Sequence, residues 1–245
     1  MVDISSKADV YRYSEARAEA DVKFDNCAAG ALAAKLAYRF IPLLHPIPIS
    51  ASARCFDGGV VVEAESTWKT GVEMDALFGA LVGAIASGAS KIYKLSVVQK
   101  VKGLGAPSLS EPAAAPKPIP RPDVGLVATA EGRIRLRSID VVKAGAVEKG
   151  DPLCAAKIAA ALSSKRLCEL LPVECVYLEY ANTEVKVEDE GVAVSVVLRA
   201  RGSSPSLEAL FAAGAALLTI WDMTKKYEKD ERGQYPSTFI ELGLS

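Results

Sequence analysis

The stretch Asp75-Ala76-Leu77-Phe78-Gly79-Ala80 decides the organisation of this chain, because a very similar stretch, Glu208-Ala209-Leu210-Phe211-Ala212-Ala213, lies 133 residues further on. Each stretch opens an alanine-rich apolar run of the kind found in buried helices. A second pair, Leu32-Ala33-Ala34-Lys35 and Leu162-Ser163-Ser164-Lys165, is offset by 130 residues. Two offsets of similar size indicate a tandem duplication with small gaps.

The bulk properties are those of a globular protein with room for two domains. The chain has 245 residues, of which 50% are hydrophobic and 24% are charged, enough for two cores of about 100–120 residues each. The formal net charge of −1 predicts neither a nucleic-acid nor a membrane partner. Any basic site must therefore be a local cluster of positive side chains. The first residues lack the form of a signal peptide, and no uninterrupted apolar run has the length of a membrane span. These features predict a cytoplasmic protein.

The cysteines predict neither a metal site nor a disulfide framework. There are five cysteines and one histidine, and no pair of cysteines has the C-x-x-C spacing that zinc sites favour. We therefore interpret the cysteines as buried thiols in a reducing compartment.

A proline-rich segment separates the two copies. Six of the 13 prolines lie between Gly105 and Asp123, and their alternation with other residues excludes a helix or a central strand. The predicted organisation is a first repeat over 1–104, an extended linker over 105–123 and a second repeat over 124–245. A ligand for a proline-binding module is the less favoured interpretation of the linker.

Each copy is predicted to run helix, two strands, helix. In copy one the predicted helices cover 26–38 and 72–89, and the predicted strands cover 47–55 and 59–67, with a turn at Asp57-Gly58-Gly59. In copy two the helices cover 151–168 and 207–227, and the strands cover 176–187 and 191–199. Asp151 followed by Pro152 is a typical N-cap and first-turn pair.

Strands joined by short turns are antiparallel, so the predicted fold class is α+β. We expect two tandem ferredoxin-like repeats, each an antiparallel sheet with helices on one face, that form a pseudo-dimer. Gly79, Gly83 and Gly88 in the first long helix suggest a close helix contact, which we expect between the two copies.

Several polar motifs differ between the copies. Copy one has Ile41-Pro42-Leu43-Leu44-His45-Pro46 and Thr70-Gly71-Val72-Glu73-Met74-Asp75. Copy two has Lys149-Gly150-Asp151, Lys165-Arg166 and Trp221-Asp222-Met223-Thr224-Lys225.

These motifs, together with the opening Met1–Lys7 segment, resemble those of cyclic pyranopterin monophosphate synthase, the second enzyme of molybdenum cofactor biosynthesis. The resemblance spans both copies and omits the linker and the last dozen or so residues. Leu44 replaces a cysteine of the family pattern and Asp75 replaces a glutamate. Copy one lacks the Lys-Gly-Asp loop, and copy two has Cys175 and Ser206 in place of the histidine and the first glutamate.

The losses in the two copies are complementary, which implies one surviving composite site per chain. In this family the site forms between two subunits, within a hexamer that would correspond to a homotrimer of this chain. The resemblance implies a catalytic set and a substrate-binding set: Lys149, Asp222, Lys225 and His45; and Glu73, Asp75, Lys165, Arg166, Lys35 and Arg12. It implies no resident cofactor or metal, although Mg²⁺ could accompany the triphosphate.

The expected activity is that of a lyase. It converts (8S)-3',8-cyclo-7,8-dihydroguanosine 5'-triphosphate to cyclic pyranopterin monophosphate with release of pyrophosphate. Such a reaction needs cations to hold the phosphates and groups that transfer protons. Asp222 and Lys225 lie three apart on one helix face, so that each shifts the pKa of the other. Glu73 and Asp75 would point the same way in an extended segment and suit the N–H donors of a pterin.

Simpler interpretations of the same residues remain open. Thr70-x-x-Glu73 is also a capping box, and Lys149 could be a solvated loop residue. Asp222 and Lys225 could form a surface helix pair, and His45 could be a packing histidine. The alternative function is a catalytically inactive paralogue that binds a nucleotide or a pathway partner. A structural trimer scaffold is a third interpretation, which predicts no lysines in a pocket between the copies.

Overall fold

The computed structural model describes residues 3–110, 114–120 and 125–245. Its strands are β1 (Val10–Ala20), β2 (Ser50–Phe56), β3 (Gly59–Trp68), β4 (Lys91–Gly103), β5 (Val127–Arg135), β6 (Tyr177–Val187), β7 (Gly191–Arg201) and β8 (Phe239–Leu244). Its helices are α1 (Ala28–Ala34), α2 (Glu73–Ala86), α3 (Ile139–Lys143), α4 (Pro152–Ser163) and α5 (Ser206–Glu228), with 3-10 turns at Ala37–Arg39 and Leu167–Glu169.

The two copies repeat one order of elements and share one sheet. Copy one runs β1, α1, β2, β3, α2, β4, and copy two runs β5, α4, β6, β7, α5, β8 with the short α3 added after β5. The described strands form one antiparallel sheet in the order β2-β3-β1-β4-β8-β5-β7-β6. The fourth strands of the two copies meet at its centre, where Lys91 pairs with Gly243 and Leu95 with Ile240. The predicted α+β class and the internal pseudo-dimer are confirmed.

The core lies between the sheet and the two long helices. All 14 residues of α2 are buried, and Phe78 of α2 meets Phe211 of α5 with ring centroids 5.8 Å apart. Phe40 completes an aromatic cluster, with its centroid 5.3 Å from each of these two rings. Because aromatic pairs in this geometry contribute beyond their buried area, the cluster ties the two copies together.

The glycines of α2 serve a contact different from the predicted one. A Cβ on Gly79 would lie 2.6 Å from the carbonyl oxygen of Gly30 in α1 and 2.9 Å from Val62. Gly79 therefore lets α2 approach α1 and β3 within copy one, and the predicted contact between copies is wrong for this residue. Gly88 has a φ of +87°, the left-handed conformation common just after a helix.

The predicted elements exist, but the sequence reading missed half of the strands. Both first helices are shorter than predicted and end in 3-10 turns, whereas the hairpins β2–β3 and β6–β7 lie close to their predicted positions. β1, β4, β5 and β8 were not predicted. In β1 the buried positions are Ser14, Ala16, Ala18 and Ala20, small residues that give a weak strand signal compared with Val or Ile.

The cysteines form disulfides, so the predicted buried thiols are wrong for four of them. Cys27 pairs with Cys55 and Cys168 pairs with Cys175, at sequence separations of 28 and 7 residues. The fold brings these partners together from different segments of the chain, so the pairing could not be predicted from a C-x-x-C spacing. Among the described residues, Cys154 is left as a free and exposed thiol.

By length and composition α5 could cross a membrane, although Glu208 and Asp222 interrupt its apolar run. The whole of its apolar window is buried inside the structure. A core helix of a globular fold has the same properties, and α5 packs on α4, β5 and β7.

Candidate active site

A cavity of about 650 Å³ lies where the two copies meet, within the size range of small-molecule sites. Its walls come from the start of α2, from β4, from the loop before α4, and from the end of α5 with the segment after it. The charged residues that line it are Lys7, Arg12, Lys69, Glu73, Lys100, Lys102, Glu148, Lys149, Asp222, Lys225, Lys226, Lys229, Glu231 and Arg232.

Asp222 joins two lysines at one end of the cavity. Lys149 Nζ lies 2.8 Å from Asp222 Oδ2 and donates to the Asp222 carbonyl oxygen at 2.8 Å. Lys225 Nζ lies 3.0 Å from Asp222 Oδ1. The side chain of Asp222 is 1% exposed and that of Lys149 is 19% exposed, so this is neither a surface helix pair nor a solvated loop lysine.

The turn before α4 places Lys149. Gly150 has a φ of +100°, which favours glycine, and Asp151 caps α4 by accepting from the backbone N–H of Leu153 and Cys154 at 2.8 and 3.2 Å. The predicted N-cap is therefore confirmed. The capped helix and the glycine turn hold the Lys149 side chain over α5.

Glu73 lies between Lys225 and Lys100 in a row of charged side chains. Its Oε1 is 3.0 Å from Lys100 Nζ and 3.7 Å from Lys225 Nζ, and it accepts from the Tyr235 hydroxyl at 3.1 Å. Lys149, Asp222, Lys225, Glu73 and Lys100 thus alternate in charge. Val72 is the N-cap of α2 and no side chain caps this helix, so the capping-box interpretation of Thr70-x-x-Glu73 is wrong.

Opposing effects set the pKa values of the two carboxylates. Burial alone would raise the pKa of Glu73, but Lys225, Lys100 and Lys229 hold it well below its usual range. Burial also acts to raise the pKa of Asp222, and Lys225 and Lys149 outweigh it, so that this pKa is lowered. Both side chains are therefore carboxylates at neutral pH.

The lysines respond in different ways to the same surroundings. Burial would lower the pKa of Lys225, but Asp222 and Glu73 raise it above its usual value. For Lys149 burial prevails over Asp222 and the pKa is lowered. Burial and the neighbouring Lys100 lower the pKa of Lys229 to about 8, so this ammonium group titrates close to physiological pH.

The cavity is strongly cationic although the chain is almost neutral. Of the described residues that line it, ten are lysines or arginines and four are carboxylates, whereas the whole chain has 29 basic and 30 acidic residues. Such a local excess of positive charge attracts small, multiply charged anions to the cavity and does not attract a polyanion to the whole surface.

The structure brings six of the ten predicted site residues to this cavity. His45, Arg12, Glu73, Lys149, Asp222 and Lys225 all line it. Arg12 also donates to the carbonyl oxygens of Trp68 and Lys69, both at 3.3 Å. His45 is half-buried in the cavity wall.

Asp75 lies behind the cavity and not in its wall. The segment is the first turn of α2, where side chains two residues apart point in different directions, so the expectation of an extended Glu73–Asp75 pair is wrong. Asp75 is 3% exposed and its Oδ2 has no hydrogen-bond partner among the described residues. Burial raises its pKa well above the usual range, against the effect of Lys225.

Lys35, Lys165 and Arg166 lie outside this cavity, contrary to the predicted site. Lys165 and Arg166 follow the end of α4, whose 12 residues separate them from Lys149 by about 18 Å of helix. Arg166 pairs with Glu169 at 2.9 Å and lies over the ring of Phe40, 5.1 Å from its centroid. Lys35 occupies the corresponding place after α1.

Sequence reasoning missed Lys100, Lys229 and Tyr235. Lys100 lies on β4, a strand that was not predicted, and its alternation with Lys102 on one face was the available signal. Lys229 and Tyr235 follow α5 in copy two. Tyr235 is 162 residues away from Glu73 in copy one, and no local pattern links either residue to that carboxylate.

The linker contacts both copies. Asn26, just before α1, donates to the carbonyl oxygens of Ala86 and Lys117 at 3.1 and 3.0 Å and accepts from the Lys117 N–H at 2.9 Å. The Ile119 N–H donates to the Pro172 carbonyl oxygen at 3.2 Å. In the repeat, Pro172 corresponds to Pro42 and Ala86 to a position one turn before Asp222. The described linker residues therefore lie against the start of the first helix of copy one and against Pro172 of copy two.

Within residues 3–110, 114–120 and 125–245, no three His, Cys, Asp or Glu side chains form a group that could hold a metal ion. The predicted lack of a resident metal stays a prediction.

Comparison with models of known families identifies the family of this chain. The model of the MoaC family matches residues 19–87 and 121–240, one segment in each copy. The chain belongs to the MoaC family. The two matched segments together cover most of the chain and fall on the two halves of the shared sheet.

Curated members of the family are similar to this chain in sequence. The chain is 47% identical over 117 residues, 46% of its own length and 82% of the relative, to a "Probable cyclic pyranopterin monophosphate synthase" of Sulfolobus acidocaldarius. A protein of the same name from Sulfurisphaera tokodaii is 47% identical over 118 residues, 46% of this chain and 78% of the relative. A "Probable cyclic pyranopterin monophosphate synthase accessory protein" of Methanothermobacter thermautotrophicus is 40% identical over 125 residues, 49% of this chain and 78% of the relative.

Proposed function

We propose that this chain is a lyase of molybdenum cofactor biosynthesis. In the proposed reaction it converts (8S)-3',8-cyclo-7,8-dihydroguanosine 5'-triphosphate to cyclic pyranopterin monophosphate and releases pyrophosphate, in one composite site per chain. Membership of the MoaC family and the printed names of its relatives support the pathway and the class of enzyme. The cationic cavity between the copies carries the rest of the proposal.

The excess of lysine and arginine suits the phosphates of this substrate. A triphosphate brings several negative charges, and the departing pyrophosphate needs its charge offset in the transition state. Cations on several separate elements can surround such a group. The wall has ten cations and four carboxylates, so a multiply charged anion would offset the positive charge that the carboxylates leave.

The row of alternating charges suits proton transfer. Asp222 lies between Lys149 and Lys225 at hydrogen-bond distance from both, so a proton can move along the row while the total charge stays balanced. The lowered pKa of Lys149 brings this amine closer to the pH at which a general acid or base works well. We assign the proton transfers of ring opening and closure to Lys149, Lys225 and Asp222. We place His45 in the wall of the same catalytic site.

The unequal copies support one composite site per chain. Copy one contributes His45, Arg12 and Glu73, and copy two contributes Lys149, Asp222 and Lys225. The passage of the linker beside Asn26 and Pro172 supports the loss of the second site.

The test is turnover of the cyclic triphosphate by purified protein, with pyrophosphate and the pterin product as readouts. Lys149→Ala and Lys225→Ala should each abolish turnover, by at least about a hundredfold, because each removes a cation and a proton donor next to Asp222. Lys157→Ala, at an exposed lysine of α4, is the matched control and should retain wild-type activity.

A catalytically inactive paralogue is the second candidate, favoured by the relative that is named an accessory protein. The same assay decides between the two. Binding of GTP without any turnover by the wild-type chain would support the inactive paralogue, and full activity in both lysine variants would reject the assigned site.

A further inference from the structure

The segment after α5 brings Tyr235 into contact with the row of charged side chains, although Tyr235 does not line the cavity. Asp230 Oδ1 accepts from the backbone N–H groups of Arg232 and Gln234 at 3.0 and 2.7 Å. Gly233 between them has a φ of +76°. These contacts form a closed turn, which fixes the direction in which the chain reaches Gln234 and Tyr235.

Gln234 fastens this turn to copy one. Its Oε1 accepts from the Lys100 backbone N–H at 3.0 Å, and its Nε2 donates to the Lys100 carbonyl oxygen at 2.8 Å. The amide therefore pairs with the backbone of β4 at the residue whose side chain enters the cavity. A two-point contact of this kind fixes orientation as well as distance.

Tyr235 then completes the hydrogen bonds of Glu73. Its hydroxyl donates to Glu73 Oε1 at 3.1 Å and accepts from Lys100 Nζ at 3.3 Å. Its ring packs edge-on against Trp221, with centroids 5.8 Å apart. Tyr235 is 4% exposed and does not line the cavity, so it acts on a ligand only through its neighbours.

The two oxygens of Glu73 are consequently unequal. Oε1 has Tyr235, Lys100 and Lys225 around it, whereas Oε2 is buried and has no hydrogen-bond partner among the described residues. A buried carboxylate oxygen without a donor is costly and calls for an explanation. An N–H donor of a ligand ring would supply the missing partner.

We propose that Tyr235 is a positioning residue that holds Glu73 Oε1 and so reserves Glu73 Oε2 for the N–H edge of the substrate ring. The inference rests on the proposed function, since it concerns the ring-binding part of the same site. Tyr235 contributes nothing to the phosphate-binding part, because Lys100 keeps both its ion pair with Glu73 and its backbone contact with Gln234 when the hydroxyl is removed.

The test compares two ligands by calorimetric titration: inorganic triphosphate, which lacks a ring, and GTP, which adds a guanine N–H edge. Tyr235→Phe keeps the ring on Trp221 and removes the hydroxyl. We expect it to weaken GTP binding about tenfold, the effect of one lost hydrogen bond to a charged group, and to leave triphosphate binding unchanged.

The matched control is Tyr13→Phe, since the Tyr13 hydroxyl donates to Glu63 at 2.7 Å and neither residue lines the cavity. It should change neither affinity. Equal weakening of both ligands by Tyr235→Phe, or no weakening of either, would overturn the inference while leaving the proposed function standing. A wild-type chain that bound neither ligand would overturn both.

Discussion

At the scale of single residues, the close approach of Glu73 to position 71 explains why that position is a glycine. A Cβ at this position would lie 2.1 Å from Glu73 Oε2, so the Glu73 side chain occupies space that only glycine leaves open. The obstacle is the end of a flexible side chain and not backbone. A larger residue at position 71 would therefore displace Glu73 without breaking the fold.

Gly71→Ala should lower turnover by about a hundredfold, because a displacement of about 1 Å in a site has effects of that size. The midpoint of thermal unfolding should stay close to that of the wild type. Gly103→Ala is the control, since a Cβ there meets nothing within 4 Å. Unchanged turnover in Gly71→Ala would show that the position of Glu73 does not matter.

Lys229 should make phosphate binding depend on pH. Burial, with help from Lys100, lowers the pKa of Lys229 to about 8, so the group is a cation below that pH and neutral above it. The affinity for inorganic triphosphate should fall by about tenfold as the pH rises from 7 to 9, through the loss of one charged contact.

Lys229→Arg supplies the comparison, because its guanidinium stays charged over this range. The variant should lose the step near pH 8, and the difference between the two titration series cancels the ligand's own protonation. The same step in the variant would mean that another group is responsible.

Residue patterns could predict part of this site and not the rest. Lys149, Asp222, Lys225, Glu73 and His45 stand in motifs that survive in one copy or the other, and the fold does bring them to one cavity. Their roles in binding and proton transfer stay predictions. Asp75 does not line the cavity because a helix begins where an extended segment was predicted, and Lys165 and Arg166 lie beyond the far end of α4. Their roles stay predictions too.

At the scale of elements, the strands that were missed are the ones that join the copies. β8 pairs with β4 on one side and with β5 on the other, so the last strand of copy two completes a continuous sheet. Its short sequence between two loops has no strong period of its own. Long-range pairing determined its structure, and with it the approach of Tyr235 to copy one.

The two disulfides should stabilise the ends of α1 and of the turn after α4. By the chain-entropy argument, closing 28 residues between Cys27 and Cys55 contributes roughly 3–4 kcal/mol and closing 7 residues between Cys168 and Cys175 roughly 2 kcal/mol. Denaturant unfolding with and without a thiol reductant should show a loss of this order.

A thiol titration of the unfolded, unreduced chain checks the same pairing directly. One reactive thiol per chain, from Cys154, is expected, and none from Cys154→Ser. Five reactive thiols, with no effect of reductant on stability, would restore the interpretation of buried thiols. The cytoplasmic location predicted from the sequence stays a prediction.

At the scale of the whole molecule, residues of both copies line one cavity. The aromatic contact of α2 with α5 and the pairing of β4 with β8 hold the copies in one fixed relation. Under the proposed composite site, each copy can therefore lose the residues that the other retains. The boundaries at 104 and 124 and the homotrimer stay predictions, and the mass of the assembly in solution would test the second of these.

The measurement that tests the central proposal most directly is the number of ligands bound per chain. Calorimetric titration of the full chain with GTP should give one site per 245-residue chain, lost in Lys149→Ala together with turnover of the cyclic triphosphate. Two equivalent sites per chain, or one site that survives in Lys149→Ala, would contradict a single composite site between the copies.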